Sequence, residues 1–106
     1  MRVEKINAFH RGWIMGDFSP SLFRTKDFEV CVTQHSPEDI TEKHFHTSST
    51  EYNIVISGRL IANGIELSDG DIFIFDKNEV ADVSFLCDTD LIVVRVPSAP
   101  NDKVII

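Results

Sequence analysis

The residues best suited to chemistry fall in one short run, HFHTSSTEYNIVISG, at positions 44 to 58. Side chains two apart on a strand share a face, so His44 and His46 point the same way while Phe45 points the other. Farther on, Glu51 shares a face with Asn53 and Val55. If the intervening loop, Thr47 to Thr50, turns Glu51 toward the histidines, two imidazoles and one carboxylate meet. That is the ligand set of a facial triad, suited to iron(II), manganese, nickel or zinc, with positions left open for water and substrate. A metal so held could acidify water, polarise a carbonyl or bind dioxygen. Two histidines alternating on a strand are, taken alone, more often partly exposed polar residues that happen to share one side.

The elements that must position these residues read as strands. Helical periodicity is almost absent, and β-rich runs separated by turn residues recur along the chain, which predicts an all-β domain. The expected strands are Val3 to Phe9, Trp13 to Met15, Phe28 to His35, Lys43 to His46, Tyr52 to Ser57, Arg59 to Ala62, Ile65 to Leu67, Ile72 to Phe75, Val80 to Leu86 and Leu91 to Val96. Asn63-Gly64 is a type I′ hairpin signal, because both turn positions need positive φ. Ser68 to Asp71, Asp76 to Glu79 and Cys87 to Asp90 supply further turns, a spacing that suits a sandwich or small barrel. Residues 36 to 43, SPEDITEK, read as a polar loop or at most a helical turn. The closing Val-Ile-Ile is expected to pair with a sheet edge or to pack on a neighbouring subunit.

Size and charge narrow the functions. A chain of 106 residues suits one domain, residues 1 to 106, with one core. Seventeen acidic against ten basic residues leave a net charge of -7 with no basic cluster, which argues against a nucleic-acid partner. No apolar run approaches the roughly 20 residues of a membrane-spanning helix, and the start, MRVEKINAFHRGW, lacks the apolar core of a secretion signal. The cytoplasm is the expected location. Cys31 and Cys87 lie far apart in apolar strand patterns and read as buried free thiols.

The full spacing of the first run is H-x-H-x4-E-x6-G, on His44, His46, Glu51 and Gly58. It resembles the first motif of the cupin superfamily. A partial second match follows: Gly70-Asp71 before IFIF, a turn, then VADVSF. TEYNIVISG, the GDI turn and VRVPSAPNDK are also similar to short single-domain cupins of unassigned function. The resemblance implies a small jelly-roll barrel, a double-stranded β-helix, holding a divalent metal through the two histidines, the glutamate and a histidine of the second motif. That second motif, G-x5-P-x-G-x2-H, is only partly kept: Asp76 stands at the proline, Asn78 at the glycine and Ala81 at the histidine. Asn tolerates the left-handed conformation of the turn, but the fourth ligand is missing.

Asp82 is the nearest possible additional ligand, although on strict alternation it points away unless a bulge re-aims it. Ala81, Val83 and Phe85 are the expected inward set. Glu79 is a weaker ligand candidate than Asp82; Asn53, His35 and Trp13 are candidate substrate contacts, and His10 reads as a surface residue. Tyr52 reads as packing. Two functions from different classes follow: a metal-dependent small-molecule enzyme, or a metal-free cupin that binds or isomerises a sugar or nucleotide sugar, with a histidine as general base oriented by Glu51. A non-catalytic binding module is a third. A homodimer is the expected assembly, as is common among small cupins.

Overall fold

Alternation of apolar and polar residues along short runs, punctuated by residues that accept left-handed backbone, is what builds this chain. The computed structural model describes all 106 residues. Its strands are β1 (Trp13–Met15), β2 (Glu29–His35), β3 (His44–His46), β4 (Thr50–Ser57), β5 (Arg59–Ala62), β6 (Ile65–Ser68), β7 (Ile72–Phe75), β8 (Val83–Phe85), β9 (Thr89–Val96) and β10 (Lys103–Ile105). The fold is all-β, as expected, and every strand pairing is antiparallel.

Five strands form one sheet in the order β1-β2-β9-β4-β7. The second layer contains β6-β5-β8 and the pair β10-β3. These two parts join where Ala81 pairs with His44: the Ala81 N–H donates to the His44 carbonyl at 2.7 Å, and the His44 N–H returns a bond to the Ala81 carbonyl at 3.3 Å. Inward residues of the two layers make one core, Cys31, Val55, Leu91 and Val93 from the large sheet against Leu60, Ala62 and Phe85 from the other. A cavity of about 1040 Å³ opens between the layers beside this core.

The turns behave as their residues require. Asn63 and Gly64 both have positive φ, 47° and 81°, and close the β5–β6 hairpin. Asn78 takes φ 68°, the left-handed conformation expected of it, and its N–H donates to the His46 carbonyl at 2.8 Å. The turn that departs from the second cupin motif therefore still docks on the strand carrying both histidines.

Three expectations are corrected. Residues Val3 to Phe9 form no strand; the stretch holds a single 3-10 turn, Ile6–Ala8, followed by a second at His10–Gly12. Both Val3 and Ile6 stay exposed outside any strand, and the free side of β1 is taken instead by residues 22 to 25, with the Leu22 N–H donating to the Ile14 carbonyl at 2.8 Å and Gly16 bridging Arg24. The run Val80 to Leu86 contracts to β8, preceded by the bridge at Ala81. Cys31 is buried but Cys87 is only half-buried; both are free. Residues 36 to 43 form a loop with one turn, in which the Asp39 N–H donates to the Ser36 carbonyl at 3.0 Å. Of the two fates foreseen for the chain's end, edge pairing is the one observed: β10 pairs with β3 in register, Lys103 opposite His46 and Ile105 opposite His44.

The outer face of the large sheet is also apolar. Two rows cross four strands, Val32, Ile92, Ile54 and Ile72 in one and Val30, Val94, Tyr52 and Ile74 in the next. No charged residue interrupts them.

Candidate metal centre

The site spans the two layers. His44 and His46 face inward from β3 and are buried, with relative exposures of 9% and 4%, while Phe45 between them lies on the opposite face. The short loop Thr47 to Ser49 carries the chain across to β4, whose inward residues are Glu51, Asn53 and Val55. One ligand atom from each of His44, His46 and Glu51 can be chosen so that all lie within 4.8 Å of one another. The loop does turn Glu51 toward the histidines.

Each ring is held from behind. His44 Nδ1 lies 2.8 Å from the Glu42 carbonyl oxygen, and His46 Nδ1 lies 2.7 Å from Asp102 Oδ1. Both partners are acceptors, so both Nδ1 atoms carry the proton and both Nε2 atoms carry a lone pair in the neutral ring. His46 Nε2 is buried and has no hydrogen-bond partner. Glu51 Oε2 is only 3.2 Å from it, yet without hydrogen-bond geometry. Two donor atoms side by side, each ring fixed through its other nitrogen, is the arrangement in which imidazole and carboxylate share an ion. The residues present fit a divalent transition metal.

Asp102 does more than hold one ring. Its Oδ2 accepts the Ser48 and Ser49 N–H groups at 3.1 and 3.0 Å, so one carboxylate ties the β3–β4 loop to His46. Glu51 has a second partner, Arg95, whose Nε donates to Glu51 Oε2 at 2.9 Å. The two residues are direct cross-strand neighbours, and Glu29 flanks Arg95 on its other side. The Arg95 guanidinium lies over the Trp13 ring, 4.6 Å from its centroid.

These contacts set the charge states. Burial pushes the Glu51 carboxyl up, but the neighbouring His46 and Arg95 outweigh it and hold the group at about 2. Asp102 is likewise pushed up by burial and carried below its ordinary value by His46 and the two loop N–H groups. Burial lowers His44, outweighing its carbonyl contact, so that ring is neutral at neutral pH. Burial also pulls His46 down, but Glu51 and Asp102 win and raise it. Glu29, 1% exposed, is raised by burial against the pull of Arg95.

The remaining sequence candidates divide. Asn53, Trp13 and His35 line the same cavity as His44 and Glu51. Asn53 is buried, its Nδ2 donating to the Phe73 carbonyl at 3.4 Å. His35 stacks on Phe85, centroids 4.2 Å apart, with Nδ1 3.0 Å from Asp39 Oδ2. Asp82 points outward: its side chain is 56% exposed and faces Lys43 at 3.8 Å, and its N–H donates to Asn63 Oδ1. Strict alternation prevails there, and no bulge re-aims it. Ala81, buried at 4%, faces inward opposite His44 and offers no ligand atom. Glu79 braces its own turn by accepting the Asp76 N–H, and His10 is exposed.

Sequence reasoning missed Asp102, Arg95 and Glu29. For the last two a signal was present, since Glu29 shares the inward phase of its strand with Cys31, and Arg95 that of its strand with Leu91 and Val93. Asp102 carried none, because it precedes a three-residue strand that looked like a tail.

No family model and no curated protein matches this sequence. Solved structures do match it in shape. An uncharacterized protein with a double-stranded β-helix domain from Klebsiella pneumoniae superimposes with a TM-score of 0.73 at 21% identity, covering 98% of this chain and 90% of that one. A cupin protein from Bacteroides fragilis gives a TM-score of 0.60 at 18% identity over 72% and 70% of the two chains. The chain has the cupin fold. A third match, the DMSP lyase DddQ from Ruegeria pomeroyi, has a TM-score of 0.72 at 12% identity and covers 88% of this chain but 49% of that enzyme. At such identities the likeness concerns the fold alone, and the chemistry rests on the side chains described above.

Proposed function

We propose that this protein is a small metal-dependent cupin, one domain over residues 1 to 106, acting on a small molecule that enters the cavity. His44, His46 and Glu51 hold one divalent transition metal, iron, manganese, nickel or zinc. The observation that carries this reading is the buried, unpartnered His46 Nε2 beside Glu51 Oε2, with the ring fixed from behind by Asp102. When bound, the metal supplies Lewis acidity, a more acidic water or a site for dioxygen. The chain's own groups do the rest. Arg95 keeps Glu51 ionised, Asp102 keeps the His46 lone pair turned inward, and Asn53, Trp13 and His35 contact the substrate from the cavity wall. With only three ligands and Ala81 in place of a fourth, the site leaves additional exchangeable positions.

The test is metal content. Protein produced with iron, nickel, manganese and zinc supplied should carry about one transition metal per chain by atomic spectroscopy, and His44→Ala should remove it. Wild-type chain free of metal under those conditions sinks the reading.

One observation favours a second reading, a metal-free cupin that binds or isomerises a sugar or nucleotide sugar. Arg95 already neutralises Glu51 without any ion. In that case the Asp102–His46 pair is the general base, and nucleotide sugars should stabilise the metal-free protein in thermal shift. A binding module would show stabilisation by ligand and no turnover.

The charge-free rows on the outer face of the large sheet support a homodimer, two copies meeting there, since a chain of net charge -7 can approach a second copy most easily through a face without charges. The free thiols Cys31 and Cys87 are in keeping with the cytoplasm.

A further inference from the structure

Charge is distributed unevenly between this molecule's surface and its cavity. Three of its ten Lys and Arg residues, Arg11, Arg95 and Lys103, line the cavity, against two of its seventeen Asp and Glu residues, Asp39 and Glu51. A chain of net charge -7 thus has a cavity whose lining carries one more cation than anion, and a divalent metal at the site would add to that excess. A concave space with an excess of one sign of charge concentrates ligands of the other sign.

Arg95 is the innermost of these cations. Its side chain is 16% exposed, and only its Nε makes a hydrogen bond, to Glu51. The nearest oxygen of Glu29 is 3.8 Å from Nη1, beyond hydrogen-bond range. Trp13 covers a face of the guanidinium and fixes its plane. Arg95 lines the cavity together with His44 and Glu51, and its Nη groups have no hydrogen-bond partner. The same lining carries apolar side chains, Phe73, Phe75, Val83, Phe85 and Leu91, with Phe75 paired across the strands with Glu51.

We propose that the cavity takes a small carboxylate with an apolar body. Its carboxylate lies between the metal centre and the Arg95 guanidinium, and its carbon skeleton lies along the phenylalanine wall. This rests on the metal reading above and names the substrate class for the same site. A planar carboxylate matches the fork of an arginine. A diphosphate fits worse: it needs several convergent donors, whereas Arg95 is the one largely buried cation of the lining and Arg11 and Lys103 are exposed. Lys103 is exposed and paired in register with His46. Arg11 belongs to the His10–Gly12 turn before β1. Both are exposed members of the cavity lining.

The experiment uses zinc-loaded wild-type protein, with zinc content read by atomic spectroscopy in every sample, and titrates benzoate, benzamide, inorganic phosphate and a uridine diphosphate sugar by calorimetry and thermal shift. Benzoate is expected to bind about 10- to 100-fold more tightly than its neutral isostere benzamide, the range for losing one hydrogen-bonded charge. Neither phosphate compound should match it. Arg95→Lys should weaken benzoate at equal zinc content. Lys103→Ala and Arg11→Ala, which remove side chains that make no hydrogen bond or ion pair, should reduce benzoate affinity and flatten its salt dependence. Zinc-loaded protein that takes benzamide as well as benzoate, or prefers the phosphate compounds, overturns the proposal and leaves the metal reading intact. A chain that takes up no zinc overturns both, and the spectroscopy identifies that case.

Discussion

Asp102→Asn separates the two jobs that Asp102 performs. The aspartate accepts on both sides, from His46 Nδ1 through Oδ1 and from the Ser48 and Ser49 N–H groups through Oδ2. Asparagine has one acceptor oxygen and must choose. Turned toward His46, its NH2 would face two backbone donors, each left unsatisfied at about 1 to 3 kcal/mol. Turned toward the loop, it keeps both backbone bonds and presents an N–H to His46. The ring can then satisfy it only by switching tautomer, so that Nδ1 accepts and Nε2 takes the proton. The second choice is cheaper for the fold and ruinous for the site, because the lone pair that would hold metal is gone. The expected result is a metal-free melting curve lowered by the equivalent of about 1 kcal/mol. Zinc affinity, measured by competition with a chromophoric chelator, should fall about 10- to 100-fold, or about 1.4 to 2.7 kcal/mol. Nitrogen chemical shifts of His46 would report the tautomer directly. Unchanged zinc affinity in a folded Asp102→Asn variant would refute the argument, and Asp102 would then be a brace for the loop alone.

Three other outcomes follow from the same geometry. Ala81→His restores an imidazole opposite His44, on the cavity wall, and should raise zinc affinity at least about tenfold; a folded variant with unaltered affinity would show that this position does not face the ion. Lowering pH should destabilise the metal-free protein: the folded Glu51 carboxyl sits at about 2 against an ordinary 4.5. Its contribution is complete above the ordinary value and lost as pH falls toward the folded one, about 3 kcal/mol in all, and a flat acid limb in denaturant titrations of Glu51→Gln against wild type would be the check. Ile54→Lys, in the middle of an apolar row that crosses the large sheet, should convert dimer to monomer in light scattering without lowering metal content, and a wild-type monomer would remove the premise.

What the sequence by itself determined lies within a few residues' reach. Alternation on a strand is local, so His44 with His46, Glu51 with Asn53, and Ala81 inward with Asp82 outward are all legible in the order of the residues. Asn63-Gly64 and Asn78 likewise announce their backbone. Local pattern misleads at Val3 to Phe9, where β-forming residues find no partner strand, because a strand needs an edge to pair with.

The tertiary structure decided everything that depends on which strands become neighbours. Arg95 reaches Glu51 across 44 residues of chain, and Asp102 reaches His46 across 56. Neither distance leaves a trace in composition or periodicity. It is the antiparallel register of β4 with β9, and of β3 with β10, that sets a cation beside the carboxylate and an anion behind the imidazole. HFHTSSTEYNIVISG supplies the three proposed ligands; the pairing of the strands around it sets Arg95 beside Glu51 and Asp102 behind His46.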